Sequence, residues 1–214
     1  SAARRSPPHP PPRHVTAQEG NKGLPVHLSI DVGSQSAVVV AQDTPSILDA
    51  AGRHVPGQGL HVVDEEITDA IETGPTIARV LSRGWRLVPG TSVVCVDPRS
   101  HRDVIAAVRA AIPEGVRIVI RKQGEPEYDV AYGVRAMRAA LKDAAGRTRL
   151  TFARSLPTTR RSLLTAMPST RYKPNSQIVH KDNARDHQVD ALRYIVCTRL
   201  PLLAPGKIIV TDRH

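Results

Sequence analysis

Aromatic side chains are scarce in this sequence: one tryptophan, one phenylalanine and four tyrosines among 214 residues. Recognition of single-stranded nucleic acid by base stacking therefore has few platforms to use. Cysteine is scarcer still. Cys95 and Cys197 make neither a CxxC pair nor a zinc-finger spacing, which excludes a disulfide scaffold and leaves two reduced, buried thiols as the expectation. Long apolar runs are missing too. Nothing approaches the roughly 20 consecutive apolar residues that a membrane-spanning helix requires, so a soluble protein with no membrane contact is expected. The first residue is Ser and no apolar leader follows it, so the chain is expected to be a piece of a longer protein.

Positive charge, by contrast, is abundant. Thirty Lys and Arg against twenty Asp and Glu give a formal charge of +10, the balance of a protein that meets a polyanion. The excess is concentrated: from Arg147 to Arg185, nine basic residues stand against one acid, Asp182. Within that segment Arg160, Arg161, Arg171, Lys173 and Lys181 are the candidate contacts to the backbone of double-stranded DNA.

Composition divides the chain into a Pro/Arg-rich linker or disordered segment (1–25), one domain (26–199) and a tail (200–214). The stretch VHLSIDVGSQSAVVVA, residues 26–41, sets the pattern. Val26, Leu28, Ile30 and Val32 alternate with His27, Ser29, Asp31 and Gly33, the period of a strand with two unlike faces. Gly33, Ser34 and Gln35 turn it into a second strand, Ala37 to Ala41. A long polar insertion, Asp43 to Gly59, then precedes a third strand, Leu60 to Val63. The acid triplet Asp64, Glu65 and Glu66 is expected to cap the next helix or face water.

Helical spacing marks Pro75 to Arg83, a helix capped by Ser100 with Asp103 three residues on, Asp129 to Ala145, Thr158 to Ala166, and Ala184 to Thr198. Strands are expected at 92–97, 116–120, 148–152 and 177–179. An antiparallel meander followed by strands alternating with helices predicts an α/β fold: a mixed β-sheet, meander plus parallel strands, flanked by helices on both faces. No internal repeat is found.

Asp31 is the residue that asks for an explanation. A strand interior disfavours Asp, and a carboxylate among apolar neighbours needs a cation or a hydrogen-bonded partner. Asp97 closes a second apolar strand. In the last helix, Asp186, His187, Asp190 and Tyr194 fall on one side and Val189, Leu192 and Val196 on the other. Asp186 has the spacing of an end-cap partner for Asn183, whereas Asp190 lies too far inside to serve as one. If Asp31, Asp97 and Asp190 meet, their repulsion calls for cations between them, and hard oxygen ligands suit Mg²⁺ or Mn²⁺. A pair of such ions suits phosphodiester cleavage. Asp31 would then bridge two ions while Asp97 and Asp190 hold one each. His187 is read as a further ligand, a proton shuttle or a hydrogen-bonded structural histidine.

The IDVG strand, the VCVDP segment, the helix YDVAYGVRAMRAALKD and above all ARDHQVDALRY make residues 26–199 resemble the C-terminal nuclease domain of the large terminase subunit of tailed bacteriophages. The resemblance implies an RNase H-like fold and an Mg²⁺- or Mn²⁺-dependent endonuclease that cuts concatemeric viral DNA during packaging in the cytoplasm of the infected bacterium. It implies Asp31, Asp97 and Asp190 as metal ligands, with His187 and Asp186 as accessory positions. Its implied partners are double-stranded DNA, an upstream packaging ATPase domain of the same polypeptide, the portal protein and the small terminase subunit. No GxxxxGK[ST] loop occurs in these residues, so the ATPase itself is not among them. Other readings share parts of the pattern: a Holliday-junction resolvase or transposase core, an actin-like or sugar-kinase phosphate site, and a DNA-binding module that does not cut.

Overall fold

The computed structural model describes residues 14–33, 35–69, 71–97, 100–120, 125, 129–159, 162–167, 171–172, 179–180 and 187–202. In chain order the elements are β1 (Val15–Thr16), β2 (His27–Val32), β3 (Ser36–Leu48), β4 (His54–Thr68), α1 (Thr73–Ser82), β5 (Val93–Val96), α2 (Arg102–Ala111), β6 (Arg117–Ile120), α3 (Val130–Leu141), β7 (Leu150–Ala153), α4 (Leu163–Ala166), β8 (Arg171–Tyr172), β9 (Val179–His180) and α5 (His187–Arg199). Seven strands form one sheet in the order β1-β7-β4-β3-β2-β5-β6, and β8 and β9 pair separately. Only β3 runs against its neighbours in the large sheet. This is the predicted α/β architecture, RNase H-like in its strand order.

Both faces of the sheet are covered, so the alternation in β2 separates two buried surfaces. Val26, Leu28 and Ile30 join Val38, Val40, Val94 and Val96 in a core closed by Ile77 and Val80 of α1 and Val108 of α2. On the opposite face Val39, Ala41, Leu60, Val62 and Cys95 pack under Val134 and Met137 of α3 and Val189, Leu192 and Val196 of α5. α5 lies across β2, β3 and β5, with α3 on top of it. Sandwiched between sheet and helix, it is buried from Gln188 to Cys197 on all sides. Both cysteines are buried thiols that no disulfide joins, as expected. Among the described residues no helix is long and apolar enough to cross a membrane.

Three local expectations are corrected. The polar insertion 43–59 is no loop: β3 and β4 extend through it as a hairpin whose turn is only 49–53. Pro45 and Pro56 hide the strands from a periodicity reading. Pro45 falls where the ladder shifts register between Thr44 and Ser46, an irregularity that tolerates a residue without an N–H, and Pro56 stands opposite Ser46 beside that shift. Ser100 does not cap α2; His101 holds that position, and the Ser100 hydroxyl is buried with no hydrogen-bond partner among the described residues. The acid triplet does not cap α1, because all three residues lie within β4.

The described half of the Pro/Arg-rich segment is extended and fitted to the sheet. β1 adds to β7, the buried His61 donates through Nε2 to the Gln18 carbonyl at 3.0 Å, and the Gln42 amide brackets the Asn21 backbone. Burial pushes the His61 imidazole below its ordinary pKa, so it is neutral here.

The expectation of no internal repeat is corrected by one short repeat, five residues long, which pins the far end of the hairpin. DAAGR occurs at 49–53 and again at 143–147. In each copy the Asp Oδ1 accepts from the N–H groups two and four residues on, all at 2.9 Å, and the Arg Nε donates back to Oδ2. Leu48 and Thr148 exchange backbone hydrogen bonds of 2.9 and 2.8 Å beside the two turns. Gly52 and Gly146 both have positive φ, +79° and +75°. Around Gly52 a Cβ would meet nothing, while at Gly146 it would lie 3.0 Å from the Ala50 Cβ. Gly52→Ala is therefore expected to cost about 1 kcal/mol from backbone conformation alone. Gly146→Ala should cost more, and adding Ala50→Gly should remove the difference, as read from urea unfolding midpoints.

Candidate metal centre

Asp31 lies at the C-terminal end of β2, 3% exposed. The β2–β5 register runs Leu28↔Val94, Ser29↔Cys95, Ile30↔Val96. Its next step sets Asp31 beside Asp97, whose N–H donates to the Ile30 carbonyl at 3.0 Å. Parallel strands in register thus deliver two carboxylates to one edge and one face of the sheet. Ser29, two residues before Asp31 on the same face, donates its hydroxyl to the Ala191 carbonyl at 2.5 Å, which fixes α5 over β2.

Seated in this way, α5 brings its polar side to Asp31. His187 Nδ1 is 2.5 Å from Asp31 Oδ2, and the Tyr194 hydroxyl donates to Asp31 Oδ1 at 3.0 Å. Gly33 makes room for the imidazole, since a Cβ there would stand 2.4 Å from His187 Cε1. Asp190, between these two on the helix, accepts from Arg193 Nε at 3.1 Å. The Tyr194 phenol is raised above its ordinary pKa first by burial, then by the charges of Asp31 and Asp190, against an opposing pull from Arg193, and more weakly by Asp97. All three acids therefore act on one hydroxyl. Burial works against the Arg193 charge, but Asp190, through its charge and its hydrogen bond, together with Tyr194 and Cys197 outweighs it and raises the guanidinium above its ordinary pKa.

The residues suit Mg²⁺ or Mn²⁺ in kind: three hard carboxylates at one end of a sheet with an imidazole beside them. Among the described residues, no three Asp, Glu, His or Cys side chains are grouped closely enough to hold a metal ion. Asp31 is met by His187 at Oδ2 and by Tyr194 at Oδ1.

Of the sequence candidates, Asp31, Asp97, Asp190 and His187 come to this end of the sheet. Asp186, Arg160, Arg161, Lys173 and Lys181 lie outside the described residues, and Arg171 opens β8. Tyr194 is legible in the sequence as a neighbour of Asp190 on the helix but not as a donor to Asp31. Arg193 carries no signal there, because its setting depends on α3.

Strand alternation splits the acid triplet. Asp64 accepts from Trp85 Nε1 at 2.6 Å and from Arg83, and Glu66 pairs with Arg79 and Arg83, all toward α1. Glu65 points to the α5 face, lateral to Val39 and Ser29 in the ladder. It is 4% exposed and forms one wall of a cleft of about 280 Å³ with Ile67, Pro157, Thr159 and Ser162. Burial pushes its carboxyl up from 4.5 to about 7, although the Leu163 N–H donates to it and pulls the other way.

Neither a protein-family model nor a curated protein matches the sequence. The fold does have neighbours of known structure. The large terminase from a thermophilic bacteriophage, in two crystal forms, superposes with a TM-score of 0.56 in each, at 16% and 17% identity. The match covers 87% of this chain and 42% of the terminase chains, so the chain spans less than half the length of the proteins it resembles. At that identity the likeness establishes a terminase-like fold.

Glu65 generates a pH prediction. The folded state holds its proton up to about pH 7 and the unfolded chain only to 4.5. Its carboxyl therefore costs nothing below pH 4.5, and stability falls as pH rises toward 7, by up to about 3 kcal/mol. Glu65→Gln keeps an acceptor for the Leu163 N–H without the charge. Urea unfolding at pH 5 and pH 8 should show a smaller loss of stability in the variant than in the wild type.

Proposed function

We propose that this chain is a metal-dependent endonuclease module acting on double-stranded DNA, and that within a larger terminase-like protein it cuts concatemeric viral DNA during genome packaging. The observation that carries the reading is the pairing of Asp31 with Asp97 at the ends of neighbouring parallel strands, under a helix that adds His187 and Asp190. Carboxylates gathered in this way are poorly explained by stability, because each would be better hydrated at the surface.

In this reading Asp31 would hold two Mg²⁺ or Mn²⁺ ions jointly, with Asp97 and Asp190 holding one each. Ions held there would supply Lewis-acid polarisation of the phosphodiester and make an attacking water more acidic. The chain's own residues position the site and move protons. Tyr194 fixes one edge of the Asp31 carboxylate through its hydroxyl. His187, in the first turn of α5 with its side chain 17% exposed, keeps some access to solvent and can take a proton from an attacking water. The basic stretch from Arg147 to Arg185 supplies counter-charge for a duplex backbone. Upstream ATPase, portal and small-subunit partners belong to the same proposal.

The decisive comparison is supercoiled and linear plasmid incubated with Mn²⁺ and either wild type or Asp31→Ala. The variant should lose on the order of 10²-fold in cutting rate or more, the scale on which loss of a charge-stabilising group acts. Equal cutting by both would end the nuclease reading, and selective nicking of four-way junctions would move it to the resolvase class. Separately, replacing Lys173 or Arg171 by Ala should lower the slope of log affinity against log salt by about one unit, measured by fluorescence anisotropy on a duplex.

A further inference from the structure

Among the described residues, the cation most deeply buried beside the acids is Arg193, whose side chain is 4% exposed. A guanidinium so buried is costly unless something fixes and neutralises it. Two features do. Its Nε donates to Asp190 Oδ1 at 3.1 Å, and its stem crosses α3 at Gly133, where a Cβ would stand 2.4 Å from both Arg193 Cγ and Cδ. Any residue but glycine at 133 would push the stem aside. The same guanidinium carbon lies 4.6 Å from the Tyr194 ring centroid, and the Tyr194 hydroxyl is bound to Asp31.

We propose that Arg193 is a positioning residue that governs cation loading of the acid cluster, aiming Asp190 directly and Asp31 through the Tyr194 ring, with Gly133 as the slot that sets its height. The inference rests on the metal-dependent reading above and deepens it by naming how the site is regulated. Before any ion arrives, Arg193 holds the Asp190 carboxylate in place through the 3.1 Å contact of its Nε with Oδ1. Because α3 carries the slot, a shift of α3 along α5 moves Arg193 and with it the carboxylate.

The test is Mn²⁺ binding to the full 214-residue chain, followed by the electron paramagnetic resonance of free Mn²⁺, with melting in EDTA as the measure of folding. Arg193→Ala should raise the Mn²⁺ dissociation constant by about 10- to 100-fold, the range typical of groups that orient a metal ligand. Gly133→Ala, which keeps the charge but displaces the stem, should weaken binding in the same direction. Together the two should be no worse than Arg193→Ala alone, because Ala at 193 has no Cγ or Cδ to clash. Arg193→Lys retains the charge without the Nε fork and should recover only part of the loss. Mn²⁺ binding that is unchanged or tighter in a folded Arg193→Ala would overturn the proposal, making Arg193 a mere counter-charge; additive effects of the two alanines would overturn the slot. If Arg193→Ala fails to fold, Gly133→Ala and Arg193→Lys still decide. Wild type and Asp31→Ala are run alongside: wild type that binds Mn²⁺ no better than Asp31→Ala sinks the metal reading itself, whereas an effect of Asp31→Ala without one of Arg193→Ala sinks only the positioning role.

Discussion

Like charges cannot be gathered inside a protein without donors to meet them, and this constraint organises the structure. Register between β2 and β5 sets Asp31 beside Asp97, and α5 carries Asp190 to the same end. Each buried carboxylate oxygen must then find a proton, a hydrogen bond or a cation. Asp31 is met by His187 and Tyr194, and Asp190 by Arg193, so the partners of the acids come from the helix that brings one of them. α5 therefore turns its polar side, His187 and Tyr194, to the sheet at Asp31, while Val189, Leu192 and Val196 lie on its other side within the buried core.

Close approach is the second requirement, and two glycines meet it. The imidazole of His187 reaches Asp31 because position 33 has no Cβ, and the stem of Arg193 reaches Asp190 because position 133 has none. Both glycines therefore act through space: one lies in the turn after β2 and the other in α3, far from each other in sequence. A helix-interior glycine costs about 1 kcal/mol relative to alanine, and the passage of Arg193 supplies the reason for tolerating that cost at Gly133.

The elements are legible where a residue pattern has one physical meaning. The alternation of residues 26–32, the short apolar run at 93–96 and the Asp129-led helix all stand near where the pattern puts them. Asp129 is a true cap, accepting from the Ala131 and Tyr132 N–H groups. Where one pattern fits two structures, it misleads. Prolines and glycines in 43–59 signal a loop, but a bulged hairpin accommodates the same residues. Three consecutive acids signal a solvated helix start, but a strand sends them to alternate faces, so Asp64 and Glu66 meet arginines while Glu65 is buried against the Leu163 N–H. Ser100 has the right side chain for a cap, yet the chain enters α2 one residue later.

By itself the sequence determined that Asp31 and Asp97 end apolar strands, that Asp190 and His187 share a side of one helix, and that an excess of positive charge follows Arg147. Those properties are local, set by periods of two and 3.6 residues and by composition. Tertiary structure alone decided which strands are neighbours, which carboxylate each donor meets, and that Gly33 and Gly133 are slots for His187 and Arg193. The physical reason is that burial and hydrogen bonding depend on contacts between residues as far apart as Asp31 and Tyr194, and no pattern along the chain encodes which of them will touch.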